Sequence, residues 1–420
     1  MEKLRVFGGN PLEGTVVVSG SKNASLPILA ATLLTRERCV IRRVPDVSDA
    51  NYMVQILNRL GAGVERASGT VIVEAQEVSP AAPYDLVRKM RASVCVMGPL
   101  LARLGRAQVS LPGGCVIGDR PVDLHLRGLE GLGASVEVEG GYVNLEAPDG
   151  LKGRELNLRG RFGSTVLGTA NIMMAAVLAQ GATLIEGAAT EPEVVDLARF
   201  LRAMGARIEG EGTQSINVEG VRELHGAEHE VIPDRIEAGT FLVAGAMAGK
   251  RVTLRRAEPS HLEAVIEALR VAGHRVEVEG RDITVWGGAQ PRGVRIITEP
   301  YPGFPTDMQA QLTALLAVTP GVSAVVDKVF PDRFMHVAEL NRMGARIERE
   351  NNAALIEGVE RLSAAPVMAS DLRASAALVL AGLLADGVTE IHRVYHIDRG
   401  YEHIDGKLVA LGARIERVPA

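Results

Sequence analysis

An amphipathic helix running into a glycine and then into an alternating strand recurs six times along the chain, as LNRLGAGVER, LEGLGASVEVEG, LRAMGARIEGEG, LRVAGHRVEVEG, LNRMGARIERE and LVALGARIERV. The central glycines are Gly61, Gly133, Gly205, Gly273, Gly344 and Gly412, spaced by 72, 72, 68, 71 and 68 residues. A period that long is a whole supersecondary unit, so the chain is built from six similar pieces. Each glycine ends a helix, where a left-handed backbone suits a residue without a Cβ. The β-branched alternation that follows has the period of a strand.

Around this signature every unit reads strand, apolar helix, strand, amphipathic helix, then two strands: βαβαββ. The apolar helices are ASLPILAATLL, ASVCVMGPLLARL, ANIMMAAVLA, AGTFLVAGAMAG, DMQAQLTALLAV and ASAALVLAGLLA. A helix hydrophobic on every side is buried on every side, so each unit is expected to wrap an inner helix. The sixth unit stops at GARIERVPA without its last strand, while KLRVFGG at the start belongs to no complete unit. The first strand is therefore expected to complete unit six. That gives two domains of three units each, 20–229 and 1–19 plus 230–420, with chain crossings near 20 and 230 as the hinge.

Aromatics are only 3% of the 420 residues and glycines number 46, so the core must come from closely packed Ala, Val, Leu and Ile. The net charge is −5 with no basic run, which argues against a nucleic-acid partner. Any anion recognised is small and locally bound. MEKLRVFGGN lacks an apolar leader core, and no stretch approaches the ~18 apolar residues of a membrane span, so no membrane insertion and a cytoplasmic location are expected. Cys39, Cys95 and Cys115 form neither a disulfide framework nor a zinc pattern. No H-E-x-x-H, Walker loop, Ser-His-Asp order or G-x-G-x-x-G after a strand occurs, so no metal, cofactor or obligate protein partner is expected. His125, His336 and His403, on outer helices, are read as surface or supporting residues.

A scaffold is the plain reading of any repeat protein. The charges weigh against it. Lys22 in SGSKNAS, Arg91 in RKMRASV, Asp234 and Arg235 in IPDRIEAGT, Asp307 in FPTDMQAQ, and Asp371 with Arg373 in SDLRASA all stand at inner-helix starts. Acids suit that end of the helix dipole, whereas Lys22, Arg91, Arg235 and Arg373 oppose it and call for a negative partner. Arg120, Arg333 and Arg399 recur at the starts of outer helices. Cations converging with helix N-termini would bind a ligand bearing phosphate and carboxylate. The alternative is that each arginine bridges its neighbouring acid, as Asp119–Arg120, Asp332–Arg333 and Asp398–Arg399.

Unit two carries an unusual link, SLPGGCVIGDRPVD, with Pro112, Gly113, Gly114 and Gly118 around Cys115. Such a segment is expected to be a lid, with Cys115 exposed and its thiolate favoured by Arg120. Cys39 and Cys95 lie in apolar runs and are expected in the core.

SGSKNASLPILAA, MRASVCVMGPLLARLG, SLPGGCVIGDRPVDLHL, FPTDMQAQ, FPDRFMHV, DLRASAALVLAG and YHIDRGYE together resemble the UDP-N-acetylglucosamine 1-carboxyvinyltransferase family along essentially the whole chain. The resemblance implies an inside-out α/β fold, hence a two-domain inside-out α/β barrel of six βαβαββ repeats, three per domain, around buried helices. It implies transfer of the enolpyruvyl group of phosphoenolpyruvate to the 3′-hydroxyl of UDP-N-acetylglucosamine, the first committed step of peptidoglycan precursor synthesis. It implies that Cys115 donates a proton to the methylene carbon, forms a phospholactoyl adduct and is the target of fosfomycin. Lys22, Arg120 and Arg399 would hold phosphate and carboxylate, with Arg91, Arg333 and Arg373 in the same cleft and Asn23 on the sugar. Asp307 would be the base beside the 3′-hydroxyl and Asp371 would lie near the reacting carbon. Arg120, Pro121, Val122, Asp123 and Leu124, with Val329, would hold the uridine end.

One departure stands out: the family's S-V-G-A-T before the third inner helix is TVLGT here, from Thr165 to Thr169, which puts nucleotide-phosphate contacts from that helix start in doubt. The alternatives are transfer to shikimate 3-phosphate, disfavoured by the cysteine loop, and an inactive UDP-sugar-binding paralogue, disfavoured by intact Lys22, Cys115, Arg120, Asp307 and Arg399.

Overall fold

The computed structural model describes residues 2–111, 122–161, 163–288 and 290–420. The six glycines end their helices with φ between 88° and 107°. In every case the next residue's amide bonds the carbonyl five positions back, from Ala62 to Leu57 (3.0 Å) in the first unit through Ala413 to Leu408 (3.0 Å) in the last. The repeated leucine-to-glycine spacing is thus one helix cap made six times, and it turns the chain into the following strand.

Among the described residues, five of the six small sheets share one four-stranded pattern, and that of the second repeat has three strands with a single parallel bridge, Ala81 to Gln108, in place of the fourth. In the fifth unit Arg295–Thr298 runs parallel to Val322–Asp327, which pairs antiparallel with Ala353–Glu357, which pairs antiparallel with Arg346–Glu350. The inner helix Gln309–Ala317 connects the parallel pair and is buried along its whole length. The inner helices Val166–Ala176, Arg235–Ala248 and Leu372–Leu384 are buried on nearly every side as well. Their small residues let backbones approach: a Cβ at Gly98 would lie 2.3 Å from the Asn171 carbonyl oxygen.

The second inner segment is not one continuous helix. It is a 3-10 turn, Arg91–Val96, followed by the α-helix Met97–Leu104. Pro99 has no N–H to offer the Cys95 carbonyl, so the tighter ladder runs up to it and the wider one begins beyond it.

The strand Glu2–Phe7 lies between Val388–His392 and Arg414–Pro419, antiparallel to both, and supplies the strand that the sixth repeat lacks. Leu4 and Val6 point into the core from it, fully buried. Two further strands are exchanged. Leu12–Val17, which precedes the first inner helix, pairs with Gly249–Arg255 of the fourth repeat. Glu228–Glu230, which precedes the fourth inner helix, pairs with Cys39–Arg42 of the first.

The chain accordingly divides into two compact units, one holding residues 2–19 and 233–420, the other the described residues from 20 to 232. The change falls between Ser19 and Gly20 and between Ile232 and Pro233, so all of Glu228–Glu230 belongs with the first three repeats. Each unit has its own apolar core. Among the described residues no helix is long and apolar enough to cross a membrane.

Candidate active site

In the unit that ends the chain, a short turn, Thr306–Met308, leads into the inner helix Gln309–Ala317 and carries Asp307. Two arginines distant in sequence converge on it. Arg333, just before the outer helix Met335–Arg342, places Nη1 2.6 Å from Asp307 Oδ1. Arg373, in the first turn of Leu372–Leu384, directs Nη2 (3.0 Å) and Nε (3.3 Å) at Oδ2. The side chains of Arg333 and Arg373 are 7% and 2% exposed, against 26% for Asp307. The cations are therefore sealed in while the Asp307 side chain is partly exposed. Burial disfavours the charge on both guanidiniums, but the groups around them together outweigh it, Asp307 and Asp371 at Arg333 and Tyr401, Asp307 and Asp234 at Arg373, so both pKa values rise above the ordinary one.

The sequence-neighbour bridges do not form at these positions. Asp332 pairs with Arg349 (2.9 Å) instead of Arg333, and Asp398 receives Arg417 at both oxygens (3.0 and 2.9 Å). Asp371 caps its helix, accepting from the amides of Arg373 (2.9 Å) and Ala374 (3.2 Å). Its charge also acts on Arg333, His336 and His396. Arg399 is half-buried and close enough to His396 to add to burial in lowering that imidazole's pKa. Val329 sits in a turn whose amide donates to Asp327 Oδ1 at 2.9 Å. Behind Asp307, Gln311 Nε2 donates to its carbonyl (2.9 Å) and to the Tyr401 hydroxyl (3.1 Å), which lies 2.9 Å from Thr240 Oγ1. One buried phenol thus ties the inner helices bearing Thr240 and Gln311, and Arg373 lies over its ring at 5.2 Å.

In the other unit, Ser21 caps the inner helix Lys22–Ala31 through the Ala24 amide (3.2 Å). Lys22 in that first turn opposes the helix dipole, and its Nζ lies 3.5 Å from Asp49 Oδ2 at the start of the outer helix Ser48–Leu60. Asn23 follows it, half-buried, and Pro27 removes the amide that a regular helix would offer the Asn23 carbonyl. Asp123 begins the outer helix Asp123–Gly131 and is exposed, with Val122 and Leu124 half-buried beside it.

That helix is anchored from below. Asn171 donates to the Val94 carbonyl (2.9 Å), accepts from the Gly98 amide (2.7 Å) and meets His125 Nδ1 at 3.1 Å. Burial, with the charge of Arg91, lowers the His125 pKa to about 3, so a neutral ring accepts at Nδ1. His125 and His336 are both buried, which corrects the surface reading of these histidines. They face inward because the outer helices turn those positions onto inner ones.

Thr165 caps the third inner helix through the Gly168 amide (3.2 Å), and Thr169 accepts from Ala189 N (3.0 Å). The departing TVLGT segment therefore keeps a capped helix start. Sequence reasoning missed two buried acids, Glu191 and Glu193, at the start of the outer helix Pro192–Ala203. The repeat itself was the available signal, since this is the position where other units place arginine.

Cys115, Arg120 and Pro121 lie outside the described residues. The other two cysteines are buried, and burial raises both thiol pKa values, that of Cys95 to about 12, so neither is a nucleophile at neutral pH. The arrangement offers a partly exposed carboxylate paired with two buried cations, and separately a nearly buried lysine at a helix start. The first can accept a proton from a bound hydroxyl, and the second can bind an anion.

Residues 6–408 match the EPSP synthase (3-phosphoshikimate 1-carboxyvinyltransferase) family. The chain is 63% identical to the UDP-N-acetylglucosamine 1-carboxyvinyltransferase of Akkermansia muciniphila, over 100% of this chain and 99% of that one. It is 59% identical to the protein of that name from Methylacidiphilum infernorum, with the same coverage. Among solved structures it superposes on the enolpyruvyl transferase NikO from Streptomyces tendae with a TM-score of 0.90 at 25% identity, covering 100% and 99% of the two chains. An EPSP synthase from Acinetobacter baumannii shares the fold, with a TM-score of 0.78 at 20% identity and full coverage of both chains. Identity of this order along the whole length places the chain in the UDP-N-acetylglucosamine 1-carboxyvinyltransferase family, within the wider EPSP synthase family.

Proposed function

We propose that this protein transfers the enolpyruvyl group of phosphoenolpyruvate to the 3′-hydroxyl of UDP-N-acetylglucosamine and releases phosphate. The observation that carries the reading is Asp307, a partly exposed carboxylate clamped by Arg333 and Arg373 in a chain of this family. The enol carbon becomes electrophilic only when its methylene neighbour is protonated. Cys115 donates that proton, the 3′-oxygen bonds to the enol carbon, and Asp307 accepts the hydroxyl proton, giving a phosphate-bearing ketal. Loss of a proton from the new methyl group and departure of phosphate from the same carbon restore the double bond. The net change is one C–O bond formed, one broken, and no redox step.

Lys22, Arg120 and Arg399, with Arg91, hold phosphate and carboxylate, and Arg333 and Arg373 act on the substrate through Asp307. Asn23 contacts the sugar, Asp371 lies near the reacting carbon, and Val122, Asp123, Leu124, Pro121 and Val329 take the uridine end. No metal or cofactor enters these steps. The setting we propose is cytoplasmic, with the two substrates as the only obligatory partners.

Whole-length relatives at 52–63% identity carry the UDP-N-acetylglucosamine name, whereas the EPSP synthase structures match at 20%, which favours the UDP-sugar over shikimate 3-phosphate as acceptor. The test is phosphate release from phosphoenolpyruvate with each acceptor, with and without fosfomycin. Release requiring UDP-N-acetylglucosamine and abolished by fosfomycin is expected. Release driven by shikimate 3-phosphate instead, or silence with both acceptors, would refute the assignment.

A further inference from the structure

We propose that Asp327 is a positioning residue for this reaction: one buried carboxylate sets both the turn that carries Val329 and the segment that carries Asp307. The inference rests on the enolpyruvyl-transfer reading above. Asp327 ends the strand Val322–Asp327 with no exposed surface. Its Oδ1 accepts from Thr298 Oγ1 (2.7 Å) and from the amides of Val329 (2.9 Å) and Phe330 (2.8 Å). Its Oδ2 accepts from Thr306 Oγ1 at 2.7 Å.

The same hydroxyl of Thr306 accepts from Arg333 Nη1 at 3.2 Å, and that nitrogen donates to Asp307 at 2.6 Å. A continuous path of hydrogen bonds therefore runs from the Val329–Phe330 turn through Asp327, Thr306 and Arg333 to Asp307. The Asp327 backbone is fixed as well, donating to the Asn352 carbonyl (2.8 Å) and accepting from Asn352 Nδ2 (3.1 Å).

A fully buried carboxylate is costly unless every lone pair has work, and this one uses its capacity on two hydroxyls and two amides. Those partners belong to the two loops that flank the proposed acceptor, one at its uridine end and one at its reacting hydroxyl. An asparagine would keep the size and one accepting oxygen. Its amide nitrogen would face Thr306, so the Thr306 hydroxyl would lose the acceptor for its proton and meet a second donor beside Arg333.

The test is steady-state kinetics of the full-length enzyme with UDP-N-acetylglucosamine and phosphoenolpyruvate varied separately. Asp327→Asn is expected to raise KM for UDP-N-acetylglucosamine and to lower kcat, each by about tenfold, with KM for phosphoenolpyruvate changed less than twofold. Thr306→Val cuts only the Asp307 branch and is expected to lower kcat by about tenfold with KM for the UDP-sugar within twofold, while Thr306→Ser restores the wild-type values. A purely structural role would lower Tm and leave kcat and both KM values within twofold of wild type in Asp327→Asn, and that result would overturn the inference. If Asp327→Asn does not fold, Thr306→Val decides alone, and wild-type kinetics in it would overturn the inference equally. Wild-type enzyme without UDP-sugar-dependent turnover would remove the functional reading and this inference with it, whereas an active wild type beside unperturbed variants removes the inference only.

Discussion

Replacing Arg373 with methionine isolates the clamp on Asp307, because methionine fills most of the same volume and carries no charge. Arg373 is buried and makes two contacts to Asp307, at 3.0 and 3.3 Å, beside the contact from Arg333 at 2.6 Å. Breaking a buried ion pair costs about 3–5 kcal/mol when the orphaned partner has no other support. Asp307 keeps Arg333 and is 26% exposed, so the lower end, ~3 kcal/mol, applies here. In a unit of this size that corresponds to a fall in Tm of roughly 6–12 °C.

Differential scanning calorimetry of wild type, Arg373→Met, Asp307→Asn and the double variant measures this directly. The loss should fall on the transition of the unit holding residues 233–420, and the double variant should be less destabilised than the sum of the singles by about 1–3 kcal/mol. A Tm within 2 °C of wild type in Arg373→Met, or strict additivity, would show that the pair is not coupled as its geometry requires.

The buried histidines give a pH dependence of definite sign. His125 titrates at about 3 and His336 at about 4 when folded, against ~6.5 unfolded, so between those values the unfolded chain binds more protons. Unfolding free energy should therefore fall on acidification below pH ~6.5, by up to ~1.4 kcal/mol per pH unit for each histidine, and urea titrations at pH 7, 6 and 5 should show that His125→Gln has a shallower slope than wild type. Cys115→Asp keeps an acid and removes the thiol, so turnover should persist while fosfomycin inhibition disappears; loss of turnover would contradict proton donation as the role of that residue. Asp49→Asn removes the carboxylate 3.5 Å from Lys22 and should shift the pH and salt dependence of phosphoenolpyruvate KM with kcat within about threefold, since one negative charge beside the lysine is lost.

The six-unit architecture was readable because a left-handed cap leaves a glycine in the sequence and a wholly buried helix leaves an apolar run. Gly61 and its five counterparts report backbone geometry, not packing. The crossings near 20 and 230 were expected, but the strands that Leu12–Val17 and Glu228–Glu230 pair with were hidden, because each is a short segment that can lie beside either equivalent repeat. The break in the second inner helix was visible only as Pro99, which permits either a kink or a helix start. The clamp was hidden for a different reason: Arg333 and Arg373 stand 26 and 66 positions from Asp307, and the nearest acids in sequence suggested other partners. Asp327 likewise reads as one polar end of a strand, and only its burial and its four hydrogen-bond donors reveal its place beside Asp307.

The central claim is chemical, that an enolpyruvyl group passes to the 3′-oxygen by addition and elimination. Proton NMR of the product formed from phosphoenolpyruvate and UDP-N-acetylglucosamine in deuterated water tests it most directly. The account predicts a vinyl ether on the 3′-oxygen with deuterium in its methylene, because that carbon passes through a methyl group before phosphate leaves. A phosphorylated sugar with pyruvate released, or a vinyl ether whose methylene stays fully protiated, would contradict it.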